Sequence, residues 1–457
     1  MLTAARGPTL QTAPLTASQA RFLGLSGYHW LVIAAGWAGW GLDVYDAVLF
    51  NFVARSCIPA LLHLAPGSAA AKSATVFWNG AITSTLLVCW AAGGIACGWV
   101  ADRIGRKRAL FLTIAVYALG TGACALVTNI PQLILCRAVA ALGIGGEWAI
   151  GAALVAEVVP ENRRVEAGVI MQTGSPLGVI LAGLVNYQIT GVWLAGRPES
   201  AWRFVFLAGL LPVVLAVCVR LFLRESERWE AGRGAPAASP RELFAPQLRA
   251  ATIGGLFVAA AAILSWWGCN AFVPLLGSSL AADSARSSGL AAADTQALAA
   301  AWQAHASASF NLGGLLGTFA AVPLARALGR RPMFVIYFLY SAVALFAIFG
   351  LPLEPYTRLT LLFLVGAGVY GIFGGFTFYL PELFPLRVRA TGAGFCYNTG
   401  RVLAAFGPYV VGALSASAGG SGAALTQVFF WLGVVPLAAG LIAWLVVVET
   451  RGRTLPA

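Results

Sequence analysis

The chain has 457 residues, of which 59% are hydrophobic and only 10% charged, against about 25% charged in soluble domains. Its apolar residues lie in long runs such as 205–223, which carries one charge, Arg220; about 20 such residues are what a helix needs to cross a bilayer core. The runs lack the alternation of a barrel strand, so the composition excludes a soluble fold and points to a helical membrane protein. A net charge of +12 suggests nucleic acid only until its placement is read. Arg103, Arg106, Lys107, Arg108, Arg163, Arg164, Arg224, Arg228, Arg326, Arg330, Arg331, Arg387, Arg389, Arg451 and Arg453 occupy alternate loops, and the loops between hold few cations. That bias places both termini and the central loop in the cytoplasm of a cell (inner or plasma) membrane and excludes nucleic acid as a partner.

In chain order, the apolar runs predict twelve spans, near 28–53, 75–100, 109–128, 132–158, 166–190, 202–223, 251–275, 303–325, 333–351, 358–383, 391–414 and 424–448. The expected organisation is a cytoplasmic segment 1–27, a six-helix bundle 28–223, a cytoplasmic linker 224–250 rich in Pro, Gly and Arg, a second bundle 251–448 and a tail 449–457. Residues 54–74 and 276–302 read as long outer loops, the second Ser/Ala-rich with room for a short helix from Asp294. No apolar core with a cleavage site appears in 1–27, so the first span is expected to direct insertion. The eight cysteines show no C-x2-C spacing, which argues against a metal site or a disulfide framework. No cofactor, phosphate loop or catalytic triad is expected; Gly143-Ile144-Gly145-Gly146 reads as helix packing.

The halves echo each other. Gly98 to Leu110 returns partially at Pro323 to Phe334, with Gly105 and Gly329 in register 224 residues apart. Glu157-x2-Pro160-x3-Arg164 returns as Glu382-x2-Pro385-x3-Arg389, and Glu225-Ser226 as Glu449-Thr450. A membrane chain that repeats at half its length reads as a duplicated transporter.

Few ionisable residues fall deep inside spans: Asp43, Asp46, Arg137, Glu147 and Arg401. A charge there costs at least about 2.5–3.5 kcal/mol on insertion scales, so it should face a cavity and a partner. Asp43 and Asp46 share a face of the first span, and the depth of Arg137 in the fourth matches Asp46. Burial disfavours an ionised carboxyl and a guanidinium favours it, so movement of either partner can load or unload a proton. Asp46 is therefore the first candidate for proton coupling, with Arg137, Asp43 and Glu147 beside it. Arg401, with Tyr397 and Asn398 on the same face, is the candidate to grip a substrate carboxylate through its planar fork. Gln172, Ser175, Trp266, Trp267, Asn270, Asn311, Tyr370, Phe376 and Tyr379 are candidates to line the pocket. Gly98, Asp102, Arg103, Gly105, Arg106, Glu157, Arg164, Glu382 and Arg389 read as gate parts, their ion pairs breaking as the halves rock.

Gly98-x3-Asp102-Arg103-x-Gly105-Arg106-Lys107, Arg137 with Gly143-x-Gly145, the two E-x2-P-x3-R segments and VETRGRTL at 448–455 resemble signatures of the major facilitator superfamily. Asp43-Val44-Tyr45-Asp46, Gly145-Gly146-Glu147-Trp148, LVAEVVPENRR and YLPELFPLRVRATG are similar to the sialate:proton symporters and fungal lactate permeases, with aromatic acid:proton symporters as neighbours. The resemblance implies an all-α fold of twelve transmembrane helices in two pseudo-symmetric six-helix bundles, no enzymatic step, and import of a small organic anion with a proton by alternating access. It implies a protein that works as a monomer in the lipid bilayer. One departure is Arg326, which stands where the second half would carry the counterpart of Asp102. A sugar or polyol porter, proton-antiport efflux and a transporter-derived sensor are the alternatives.

Overall fold

The computed structural model describes residues 24–160, 163–222, 240–385 and 388–451. Among them, every regular element is helical, and ten segments are long and apolar enough to cross a membrane. In the first half α1 (Gly27–Leu61), α2 (Ala69–Ile104), α3 (Arg106–Ala123) and α4 (Ile130–Val158) are continuous crossings. The fifth is broken into α5 (Arg164–Gln172) and α6 (Gly174–Asn186), and the sixth into α7 (Pro198–Ala208) and α8 (Pro212–Phe222). In the second half the seventh crossing is α9 (Arg249–Asn270), followed by α10 (Val273–Ser287); α11 (Ala292–Leu328) and α12 (Arg330–Gly350) are unbroken. The last three are α13 (Pro355–Val369) with α14 (Phe373–Glu382), α15 (Arg389–Ala404) with α16 (Phe406–Ser417), and α17 (Gly422–Leu432) with α18 (Val434–Val446).

Local chemistry sets the helix starts. Ser26 caps α1 in a reciprocal box with His29, and Asn129 caps α4 by accepting from the Gln132 amide at 3.0 Å, so orphan N–H groups of the first turn find partners. The expectation of a long outer loop over 276–302 is corrected: α10 and the first turns of α11 fill most of it, and the short helix foreseen from Asp294 is the start of α11. Leu276, Leu280, Ala281 and Ala285 are buried there, because α10 packs along α11 and its modest apolar face gains a partner that the sequence does not advertise.

The packing is pseudo-symmetric. In the first half α2 lies on α4, α1 on α6 and α3 on α8; in the second, α11 lies on α13, α9 on α15 and α12 on α18. Between the halves α2 meets α16 and α6 meets α11, which is the same pair of crossings related by a shift of six. Small residues permit the approach: Gly145 of α4 abuts the backbone of Trp90 and Gly94 on α2, and Gly366 of α13 abuts the backbone of Phe310 on α11. Toward the end away from the arginine-rich loops, side chains stitch the halves. Asn79 donates to the Ala271 carbonyl at 2.8 Å, Ser73 to that of Ala416 at 3.0 Å, and Asn186 to Gln303 at 3.0 Å.

Gly105 and Gly329 occupy equivalent places, each the residue preceding a helix, with φ/ψ of 100°/156° and 104°/172°. This region is almost reserved for glycine. Gly329→Ala is expected to cost roughly 1–3 kcal/mol, since its new Cβ would also press on the Glu449 carboxylate. Thermal unfolding in detergent checks this, and an unshifted transition contradicts it.

Candidate functional site

Halfway along α1, Asp46 meets Arg137 of α4. The Arg137 Nη1 lies 3.3 Å from Asp46 Oδ1, 3.1 Å from the Asp46 carbonyl and 3.2 Å from Thr121 Oγ1, while Nη2 donates to the Ala47 carbonyl at 2.5 Å. The Thr121 hydroxyl of α3 donates to Asp46. Both charged groups are sealed, at 0% and 1% exposure. The planar fork thus binds two backbone carbonyls and a carboxylate at once, from two nitrogens held in fixed geometry. Sequence reasoning placed this pair at matching depth but did not find Thr121, whose signal, a lone threonine in an apolar span, is weak.

One turn earlier on α1, Asp43 is equally buried, yet neither of its oxygens has a hydrogen-bond partner among the described residues. The same is true of Glu147 on α4. Glu147, Asp46 and Arg401 are the charges that act on Asp43, and the Tyr117 phenol of α3 feels all three acids. The four proton-coupling candidates therefore converge on one buried region.

Arg401 lies in the wall of a narrow, nearly closed pocket between the halves, with a cavity volume of about 10 Å³. Its guanidinium sits 4.5 Å over the Trp90 ring and 4.9 Å over Tyr397, and Nη1 donates to Asn398 at 3.0 Å. Trp267, Tyr370, Gln172 and Ser175 join the lining, as does Trp266, with the Tyr370 and Ser175 hydroxyls buried and without a hydrogen-bond partner among the described residues. Trp40, Trp90, Ile263 and Phe373 complete it and were missed, because such residues in an apolar run read as packing or interface anchors. Asn398 stands behind Arg401. Asn270, Asn311 and Phe376 are not in the pocket lining: Asn311 donates to the Ser307 carbonyl at 2.8 Å on its own helix, and Phe376 packs on Phe334. Tyr379 accepts from the Val448 amide at 3.2 Å, beyond the last helix.

Of the gate candidates, Gly98 and the side chains of Asp102, Arg103, Arg106, Glu157, Arg164 and Arg389 lie outside the described residues. Glu382 is described. It takes Arg330 in a fork of 2.9 and 2.6 Å and accepts from Thr450 at 2.6 Å, so its partners belong to its own half. Glu449 accepts from the amides of Arg330 and Arg331, each at 3.0 Å. Partial burial pushes the Glu449 carboxyl up, but backbone N–H donors from Arg330, Arg451, Arg331 and Thr450 outweigh it and hold the group below its usual range. No group of three or more metal-ligating side chains exists among the described residues.

Removing one partner of a buried pair strands the other. Arg137→Leu is expected to cost about 3–5 kcal/mol, and adding Asp46→Asn to it should recover part of the loss. Unfolding midpoints of the four proteins in the cycle measure this; strictly additive losses contradict a coupled pair.

Residues 34–246 and 304–457 match the family described as "Sugar (and other) transporter". A probable 4-methylmuconolactone transporter of Cupriavidus pinatubonensis is 31% identical over 92% of this chain and 90% of its own length. The cis,cis-muconate transport protein of Acinetobacter baylyi is 30% identical over 78% and 84%. Among solved structures, the xylose transporter XylE from E. coli superposes with a TM-score of 0.72 at 18% identity, covering 94% of this chain and 100% of that one; at that identity the likeness speaks to the fold. With twelve helical crossings in two pseudo-symmetric halves and relatives that are transporters rather than enzymes, the chain belongs to the sugar-and-other-transporter family of the major facilitator superfamily.

Proposed function

We propose that the protein imports a small organic anion together with a proton, by alternating access of two rocking halves, 28–223 and 251–448, across a cell (inner or plasma) membrane with both termini cytoplasmic. One observation carries the reading: a buried guanidinium, Arg401, lines an aromatic-walled pocket between the halves in a molecule whose first half buries three carboxylates, Asp43, Asp46 and Glu147. A guanidinium presents a fork to a carboxylate, and flat rings around it favour a planar, unsaturated acid. The relatives named for cis,cis-muconate and 4-methylmuconolactone support that class. Gln172, Ser175 and Tyr370 offer polar contacts to the far end of the substrate, and Asn398 steadies Arg401. Asp46 with Arg137, and Asp43 with Glu147, supply the proton coupling.

A ligand screen by thermal shift on purified protein, with benzoate, nicotinate, lactate and cis,cis-muconate against their amides and neutral sugars, tests the class. Acids alone should stabilise; stabilisation by sugars and not by acids overturns the reading. Arg401→Lys keeps the charge and loses the fork, so acid binding should weaken by roughly tenfold or more, whereas unchanged preference for acid over amide removes Arg401 from the site. Asp46→Asn protein in liposomes should lose accumulation driven by a pH gradient and retain substrate counterflow, because Asn resembles the neutral acid. Undiminished accumulation would take Asp46 out of the coupling.

A further inference from the structure

Among the described residues, the least satisfied groups are the carboxylates of Asp43 and Glu147. Glu147 projects from α4 against Gly39 of α1, and its carboxylate occupies the place where a Cβ at Gly39 would stand. Gly39 and Asp43 are four residues apart, one turn or about 6 Å along the same helix face, so the notch brings the two acids together. Both are 0% exposed, and none of their four oxygens has a hydrogen-bond partner among the described residues. The charged or titratable groups that reach them are Asp46 on α1, Tyr117 on α3 and Arg401 on α15. Asp46 is neutralised by Arg137. One guanidinium, Arg401, is then left for two acids.

A low-dielectric interior tolerates little net charge. Two bare carboxylates a turn apart repel strongly, and a single proton between them relieves this. With no substrate, Arg401 balances the one remaining negative charge. A substrate carboxylate arriving at Arg401 supplies that charge itself, so the pair must become neutral to avoid a stranded buried anion.

We propose that Asp43 and Glu147, seated together at the Gly39 notch, hold one proton in the empty protein and take up a second when a substrate carboxylate replaces them as the counter-charge of Arg401. The proton comes from water and returns to it when the anion leaves; no covalent bond to carbon forms or breaks. This rests on the reading of Arg401 as the substrate anchor. It separates the binding step, governed by Asp43 and Glu147, from the Asp46–Arg137 network that joins α1, α3 and α4.

The test uses full-length protein and the tightest-binding acid of the benzoate, nicotinate, lactate and cis,cis-muconate panel. In weak buffer, wild-type protein should take up about one proton per carboxylate bound, and its apparent Kd should rise about tenfold per pH unit toward alkaline pH. The double variant Asp43→Asn/Glu147→Gln should abolish the uptake and flatten the pH dependence, whereas either single variant, whose one remaining acid then balances Arg401 alone, should keep the uptake. Gly39→Ala, which fills the notch, should shift the Kd profile along the pH axis. Infrared difference spectra of substrate-free protein after a pH jump supply a ligand-independent arm: the band of a protonated carboxyl should vanish in Glu147→Gln. Acid binding with no proton uptake, or a wild-type band that survives Glu147→Gln, overturns the proposal and leaves the transport function standing. Failure of every acid to bind, with the infrared band behaving as expected, overturns the anchor role of Arg401 instead.

Discussion

A guanidinium inside a lipid-spanning helix has to be neutralised where it stands, and the two deepest in this chain meet that requirement differently. Arg137 is ion-paired: Asp46, the Thr121 hydroxyl and two backbone carbonyls hold its two terminal nitrogens, while its Nε has no partner among the described residues. Arg401 has no carboxylate within ion-pair distance among the described residues. Its charge rests on the faces of Trp90 and Tyr397, on the Tyr397 hydroxyl and on one amide oxygen, none of which carries the full negative charge that would neutralise it.

The surrounding scaffold keeps such charges away from lipid. Close helix approach within each half comes from glycines such as Gly145 and Gly366 at backbone contacts, and van der Waals packing of this kind holds a bundle together where lipid supplies no hydrophobic drive. Between the halves Gly80 and Gly412 make the same kind of backbone approach, and single hydrogen bonds to backbone carbonyls, such as Ser84 to Ala405 at 2.6 Å and Asn79 to Ala271, each add a modest tie.

Much of the fold is legible in the sequence, because apolar run length and the placement of arginines report directly on membrane crossing, and the echo of Gly105 at Gly329 reports on duplication. The convergence of Asp43, Asp46, Arg137 and Glu147 is legible for a related reason: intramembrane charges are so costly that few exist and they must meet. What escapes is everything made of ordinary apolar or small residues. Trp40 and Trp90 carry no mark that separates a pocket wall from packing, and Gly39 looks like any other span glycine until Glu147 is seen beside it. The helix α10 reads as a loop because its Ser/Ala composition is ambiguous without α11 to bury it. Asn270 and Asn311 attract notice as polar residues in spans, yet neither lines the pocket: Asn311 donates to its own helix, and the Asn270 Nδ2 has no partner among the described residues.

The central claim is that anion and proton cross together through this charged interior. It is tested most directly by liposomes containing the purified protein, an internal pH dye and a labelled acid from the panel, with membrane potential clamped at zero. The account predicts that an inward pH gradient alone drives the acid above equilibrium, with internal acidification in step with its entry. Accumulation without proton entry, or accumulation only when a potential replaces the pH gradient, would contradict it.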